Sequence, residues 1–370
     1  MSPEIRVGYA ELVAFTAGVF AVRGVPPTHA ELAAEALCHG DLTGHGSHGL
    51  ANLTRLYLPL FDDKRVEPAT ELAVVADRGA AVLVDAQRGL GLWVASEVMD
   101  LAVRCAAAYG IGMVSVFNAT HFGCAGFHAA RAVDHQMIGL LAANCGRQRI
   151  ARPPGGRLAM LGTNPISVAA PAGDRPPYVL DMSTTVAPTG RVRVAARAGE
   201  PVPEGWLADD VGNPVTDPAA FDGGTAHLLW LGSRPETGAF KGYGLGLLVE
   251  ILAALLPGAG RGPEPEALNG DGRPSGRDDD IGFFALAVAP GALRPSGDFL
   301  AEADELFGTL LACPPVDPAS PVRYPGLVEA ERAELHRRSG VPLAADVYAD
   351  LAALAGQLGV APPEPLEGAR

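Results

Sequence analysis

Gly44-His45-Gly46-Ser47-His48-Gly49 spells G-x-G-x-x-G, the string of a dinucleotide-binding turn, and how it is read decides the fold. Such a turn follows a strand and opens a helix, so that a pyrophosphate meets the helix N-terminus. Here the residues before it, Ala33 to Leu42, have helical apolar spacing. The match is accidental, and the dinucleotide reading is rejected. The wider stretch, Cys38 to Gly49, instead combines His39, His45 and His48 with Asp41, Ser47 and four glycines. A backbone that bends sharply and exposes polar groups needs that composition. It reads as half of an active site in a loop between two helices. His121, in Asn118-Ala119-Thr120-His121-Phe122-Gly123, reads as the other half.

Working outward, apolar spacing over residues 8–24 gives a helix broken by Pro26-Pro27. Thr28, with Glu31, is expected to cap a second helix over about 29–40. A third, over 50–61, carries Leu50, Leu53, Leu56, Tyr57 and Leu60 on one face. Residues 73–75 and 81–85 read as paired strands around an Asp77-Arg78-Gly79 turn. A helix to about 109, a strand over 112–117, the His121 loop, a helix over about 125–135 and a strand over 138–143 follow. That alternation predicts an α/β protein with a mixed or parallel layer. Residues 144–165 read as loop and 166–170 as a strand. Residues 178–180 run as a strand into Asp181-Met182-Ser183-Thr184-Thr185. A Gly/Pro/Asp-rich surface arm or lid is expected over 197–218. Lys241-Gly242-Tyr243-Gly244 opens an apolar helix over about 245–256. A loosely ordered stretch, 257–280, precedes a strand over 281–288, helices over 327–339 and 345–358, and a frayed tail after Pro362.

Composition bounds the function. The chain has 370 residues, 48% hydrophobic and 19% charged, with mean hydropathy +0.17. That is enough to bury a large core. A net charge of −14 argues against a nucleic-acid partner. Five scattered cysteines without CxxC point to a reducing compartment. The stretch Met1 to Arg6 lacks a basic-then-apolar signal, and no apolar run nears the ~18 residues of a membrane span. A cytoplasmic protein is expected, without membrane partners.

Three chemistries compete for the histidines. A metal site could be drawn from Cys38, His39, Asp41, His45 and His48, but no pair has the context of a zinc motif. Acid/base work suits imidazole, which titrates near neutrality. His48, beside Ser47, is the best candidate. His121 lies at the C-terminal end of a strand, where α/β folds collect functional groups. His39 and His45 read better as helix-capping groups. Phe240 to Gly244 offers helix N-terminal amides and a cation, a candidate phosphate site.

Taken in order, these motifs resemble the malate/L-lactate dehydrogenase family that lies outside the Rossmann dehydrogenases. The markers are Asp41-Leu42 with Ser47-His48-Gly49, His121-Phe122-Gly123 with Ala125-Gly126, and Leu161-Gly162-Thr163-Asn164-Pro165. Asp181-Met182-Ser183, Pro203-Glu204-Gly205-Trp206, Thr216-Asp217-Pro218 and Lys241 to Leu245 follow. Asp280-Ile281-Gly282-Phe283-Phe284 and Tyr324-Pro325-Gly326 complete the series. The resemblance implies a non-Rossmann NAD(P)-binding domain with a large mixed β-sheet, plus a mainly helical domain built from both chain ends. The boundaries expected are 1–75 with 300–370 for the helical part and 76–299 for the sheet, with a flexible loop at about 257–280. It implies a homodimer or larger assembly, with the site at domain and subunit boundaries. It also implies reversible NADPH- or NADH-dependent reduction of a small 2-oxo acid or cyclic imino acid. By the same resemblance His48 is the acid/base, supported by Ser47, while His121 lines the site and moves the proton in some members. Substrate contacts are expected from Asn52, Arg55, Thr163 and Asn164. Cofactor contacts are expected from Asp181, Met182, Ser183, Thr184, Thr185, Lys241, Gly242, Pro325 and Gly326, with no metal.

Three positions depart from the family pattern. Asn52 stands where an arginine usually grips the substrate carboxylate, and asparagine cannot form that clamp. Arg55, one turn on, is the substitute. Arg191 replaces a lysine after Gly190, and Leu327 replaces a glutamate after Pro325-Gly326. Malate and lactate are therefore expected to be poor substrates. A metal-dependent hydrolase built on His39, His45, His48 and His121 is one alternative. An inactive family member acting as a binding protein is another; Asn52 and Leu327 favour it, while His48, His121 and Lys241 speak against it.

Overall fold

The computed structural model describes residues 4–366. Met1 to Pro3, part of the stretch read for a targeting signal, and residues 367–370 of the tail lie outside the described residues. The chain opens with β1 (Glu4–Val7), α1 (Tyr9–Val22) and α2 (Pro27–Leu42). Thr28 does not cap α2. Pro26 is the cap residue and Pro27 takes the first helical position, where a missing N–H costs nothing. α2 also runs further than expected, to Leu42, so the bend starts at Thr43. A 3-10 turn (Gly46–His48) and a π-type turn (Leu53–Tyr57) lead into α3 (Leu58–Asp62).

The central sheet follows. It begins with β2 (Ala73–Asp77), β3 (Ala81–Asp85), α4 (Gly91–Tyr109) and β4 (Ile111–Ala119). α5 (Ala125–Ala130) is shorter than expected and ends in a 3-10 turn at Val133–His135. β5 (Ile138–Ala143), β6 (Ile166–Ala172) and β7 (Arg175–Met182) come next. α6 (Thr189–Ala198) is a helix that the sequence pattern does not predict. The expected arm is not a free lid. It contributes β8 (Leu207–Ala208) and β9 (Pro214–Val215), which with α7 (Ala219–Gly223) and β10 (His227–Leu228) enclose a small core of Val202, Leu207, Phe221 and Leu228.

α8 (Ala239–Glu250) starts before Lys241 and Gly242, placing both in its first turn, and continues as a π-type turn, Ile251–Leu255. β11 (Ile281–Val288) then enters the sheet. α9 (Ser296–Leu311) is a further unpredicted helix; α10 (Leu327–Ser339) and α11 (Ala345–Leu358) lie where expected. β12 (Val341–Ala344) pairs antiparallel with β1, joining the two ends of the chain. The tail is held as far as Leu366, whose N–H donates to the Arg6 carbonyl at 2.8 Å.

The main sheet has the order β2-β3-β4-β11-β5-β6-β7. β3 and β4 run parallel, linked by the crossover helix α4, and the other neighbours are antiparallel. β11 lies between β4 and β5, so the two strands expected as neighbours flank a later one. α4 and α5 cover one face, where Val84, Val116, Leu141, Phe283 and Ala285 join the large core with α1 and α2. On the other face the end of α8 packs Val249 on Ala142, and the π-type turn after it adds Ala253. It approaches so closely that a Cβ on Gly282 would sit 1.6 Å from the Ala253 carbonyl oxygen. This mixed α/β sheet with helices on both faces is not a Rossmann unit.

Candidate active site

Two loops meet at the end of the sheet. The first leaves α2 and is anchored by Asp41. This buried carboxylate accepts the Leu50 N–H at 2.6 Å, and burial raises its pKa to about 7. Asp41 is therefore part of the loop's frame. Asn52 Nδ2 donates to the Ser47 carbonyl at 2.8 Å, holding the 3-10 turn that presents Ser47 and His48. The second loop leaves β4 and carries His121. The two imidazoles face each other with ring centroids 6.1 Å apart and planes 20° from parallel.

Each ring is held from behind. His48 Nδ1 lies 3.1 Å from the Ser47 hydroxyl. His121 Nδ1 lies 2.8 Å from the Tyr57 hydroxyl and accepts the Gly123 N–H at 3.2 Å. Burial, then the neighbouring His121, His45 and Arg55, push the His48 pKa down to about 4. Burial lowers His121 as well, with Asp278 opposing and Arg55 assisting. Both rings are neutral at neutral pH, so both start as proton acceptors or hydrogen-bond donors rather than as cations.

The rings wall a cavity of about 360 Å³ that also takes in Ser47, Thr163, Arg191 and Asp278. Asp181, Met182, Ser183 and Thr185 border it from the β7 end. A second cavity, of about 400 Å³, adjoins it at His45, Cys124 and Asp181 and reaches Pro325 and Gly326. Gly326 caps α10, so the first-turn amides of that helix open on this space, beside the Glu329 carboxylate. The donor set suits an elongated dinucleotide, with helix amides for phosphate and carboxylates for ribose hydroxyls.

Other anticipated residues lie off the cavity walls. Asn164 is fully buried, donating to the Gly246 carbonyl and to Glu250. Thr184 commits its hydroxyl to the Thr163 and Asn164 carbonyls. Lys241 reaches over the Phe240 ring, and Gly242 backs onto Leu231, which does line the first cavity. Asn52 is buried beneath Ser47 and holds Arg55 through its Oδ1 at 2.5 Å. His39 sits inside α2, and His45 precedes the 3-10 turn without a side-chain cap bond, so neither caps a helix.

Two residues of the site carry no sequence signal of their role. Spacing makes Tyr57 one more apolar position of a helical face; the π-type turn aims its hydroxyl at His121. Asp278 closes the stretch expected to be loosely ordered; Arg65 Nη2 holds it at 2.5 Å, and it borders the cavity. Among the described residues no three His, Cys, Asp or Glu side chains come together as a metal-ligand set. No helix among them is long and apolar enough to cross a membrane.

Comparison with known proteins adds to this geometry. Residues 7–352 match the family described as malate/L-lactate dehydrogenase. Malate dehydrogenase of Pyrococcus horikoshii is 39% identical over 256 residues, covering 69% of each chain. L-sulfolactate dehydrogenase of Methanocaldococcus jannaschii is 31% identical over 338 residues, covering 91% of this chain and 92% of that one. The crystal structure of malate dehydrogenase from Entamoeba histolytica superposes with a TM-score of 0.89 at 26% identity, covering 98% of this chain and 100% of that one.

Proposed function

Because the chain belongs to the malate/L-lactate dehydrogenase family, we propose that it reversibly reduces a small 2-oxo acid or cyclic imino acid with NADPH or NADH as the reductant. The observation that carries this reading is the pair His48 and His121, facing across 6.1 Å on a cavity that runs on toward Asp181, Pro325 and Gly326. Asp181, Met182, Ser183 and Thr185 would hold the nicotinamide end of the cofactor, and Pro325, Gly326 and the α10 amides the far end. When bound, the nicotinamide supplies or accepts the hydride.

The protein's own residues manage the proton. In the oxidative direction neutral His48 takes the hydroxyl proton of a hydroxy acid at Nε2, and Ser47 accepts a hydrogen bond from the Nδ1–H of the resulting cation. In the reductive direction protonated His48 returns that proton to the substrate oxygen or nitrogen. Its lowered pKa makes the reductive rate fall as pH rises. Arg55 is the candidate carboxylate grip. It lies off the walls of both cavities; partial burial and the like charges of Arg197 and Arg193 lower its pKa, and Arg193 is itself paired with Asp222.

Fluorescence titration with NADPH and NADH, followed by turnover of a panel of 2-oxo acids and cyclic imino acids, tests the proposal. Saturable binding with turnover of one panel member is the expected result. Binding of neither cofactor would overturn it. Malate and lactate are expected to turn over poorly, because Asn52 holds Arg55 rather than a carboxylate. Comparable turnover of malate and of a larger acid would contradict that.

A homodimer is part of the proposal. Phe240, Leu248, Ile251, Leu255 and Leu256 leave an exposed apolar stripe along α8 and the turn after it. Light scattering should give about twice the 38.1 kDa chain mass.

A further inference from the structure

We infer that Tyr57 is a positioning residue: with the Gly123 N–H it fixes His121 as the neutral tautomer carrying its proton on Nε2. His121 then donates a hydrogen bond to the substrate and leaves the proton transfer to His48. This role deepens the proposed oxidoreductase reading and rests on it for the word substrate.

Valence decides the tautomer. An imidazole nitrogen has either a proton or a single in-plane lone pair. The Gly123 N–H can only donate, and it lies 3.2 Å from His121 Nδ1. Nδ1 must therefore be bare while that bond exists. The Tyr57 hydroxyl, 2.8 Å from the same nitrogen, then donates to it as well. Two donors on one lone pair oppose protonation there, since a proton on Nδ1 would leave the Gly123 amide without its acceptor. Burial of the ring acts in the same direction.

His48 is held differently. Among the described residues its Nδ1 meets only the Ser47 hydroxyl, which rotates to donate or accept. Its proton count can change without breaking a bond, and that of His121 cannot. A fixed neutral imidazole polarises a carbonyl as an electrophile without giving up its proton. Tyr57 reaches this place because the helix passes through a π-type turn at Leu53–Tyr57; Tyr57 itself is fully buried. Such turns re-aim side chains at functional sites. Gly123, at φ +80°, turns the backbone so that its amide faces back to the ring.

Nitrogen-15 spectra of histidine-labelled full-length protein test the inference, with the His121 signals identified by their loss in His121→Gln. The expected result is a bare Nδ1 and a protonated Nε2 that stay unchanged from about pH 6 to pH 8, the window in which a free imidazole titrates. Tyr57→Phe should shift the Nδ1 resonance toward an unbonded nitrogen. It should also lower kcat by about fivefold to tenfold, the loss of one neutral hydrogen bond, with little change in KM. A proton on Nδ1 of His121, or titration of that ring in this window, would overturn the inference. So would a Tyr57→Phe protein whose Nδ1 resonance does not move. The wild-type spectra decide the matter even if the variant does not fold. They need no substrate, so a failure of the oxo-acid reading leaves their result intact.

Discussion

Arg55 Nη2 donates to the Asn52 side-chain oxygen at 2.5 Å, and among the described residues this is its one hydrogen-bond partner. A guanidinium has five N–H donors, so most of this one is available to a ligand. Arg55→Met should raise KM for 2-oxo acids by about tenfold or more, with a smaller effect on kcat, as loss of a substrate grip requires. Arg55→Lys should recover part of the loss, because it keeps the charge without the fork. Steady-state kinetics on both variants check this. A KM unchanged in Arg55→Met would remove Arg55 from the substrate site.

His48 should be indispensable to turnover and dispensable to cofactor binding. His48→Asn keeps a polar group beside Ser47 but cannot move a proton at neutral pH. Turnover should fall by about 100-fold or more, while the cofactor Kd, read by nicotinamide fluorescence, stays within a factor of about three. If turnover survives, the proton comes from elsewhere.

Acid should destabilise the fold while most carboxylates are still ionised. Burial holds His39 and His48 at about 4 and His128 at about 3, all below an ordinary imidazole at 6.5. The unfolded chain therefore binds protons first as pH falls below about 6.5, and each group removes up to about 1.4 kcal/mol per pH unit until its folded pKa is reached. Asp41, raised to about 7, works the other way over about pH 7 to 4. Burial raises Glu250 and Asp280 too, and they act in the same sense as Asp41. The melting temperature should drop between about pH 7 and pH 5. A flat or rising profile would show that these rings are not held neutral.

Gly282→Ala tests the sheet's second face. The added Cβ would lie 1.6 Å from the Ala253 carbonyl oxygen, and backbone on both sides leaves no flexible end to give way. The cost should be about 3 kcal/mol or more, the upper range for overpacking. Gly356→Ala in α11 is the control. Nothing lies within 4 Å of its Cβ, and it should gain up to about 1 kcal/mol from helix propensity. Thermal melts of both proteins check the contrast.

How far these features are legible in the sequence depends on where the deciding force lies. β5 and β11 have the bounds their sequence predicts, because each is a short apolar run closed by turn residues. α6 escapes prediction because Thr-Gly-Arg-Val-Arg-Val-Ala-Ala-Arg-Ala buries only Val192, so no apolar face marks it. β1 and β12, four residues each, exist through their pairing across the whole chain, which no local window contains. At the site, the histidine loops stand out by composition. Tyr57 does not, since a π-type turn moves a residue off the face that ordinary helical spacing assigns to it. Asp278 is hidden in an acidic run because its partner, Arg65, is more than two hundred positions away.

The position of β11 constrains how the sheet is assembled. This strand slots between β4 and β5, yet the whole of β6 to α8 separates it in sequence from Ala143, the last residue of β5. A ribosome must deliver all of that chain before Ile281 emerges. Until then β4 and β5 present two unpaired inner edges, the kind of surface that invites pairing with another chain. Nascent or refolding protein is therefore exposed to misassembly at a gap in the middle of its sheet. Closure of that gap waits on contacts of long sequence separation, which form slowly.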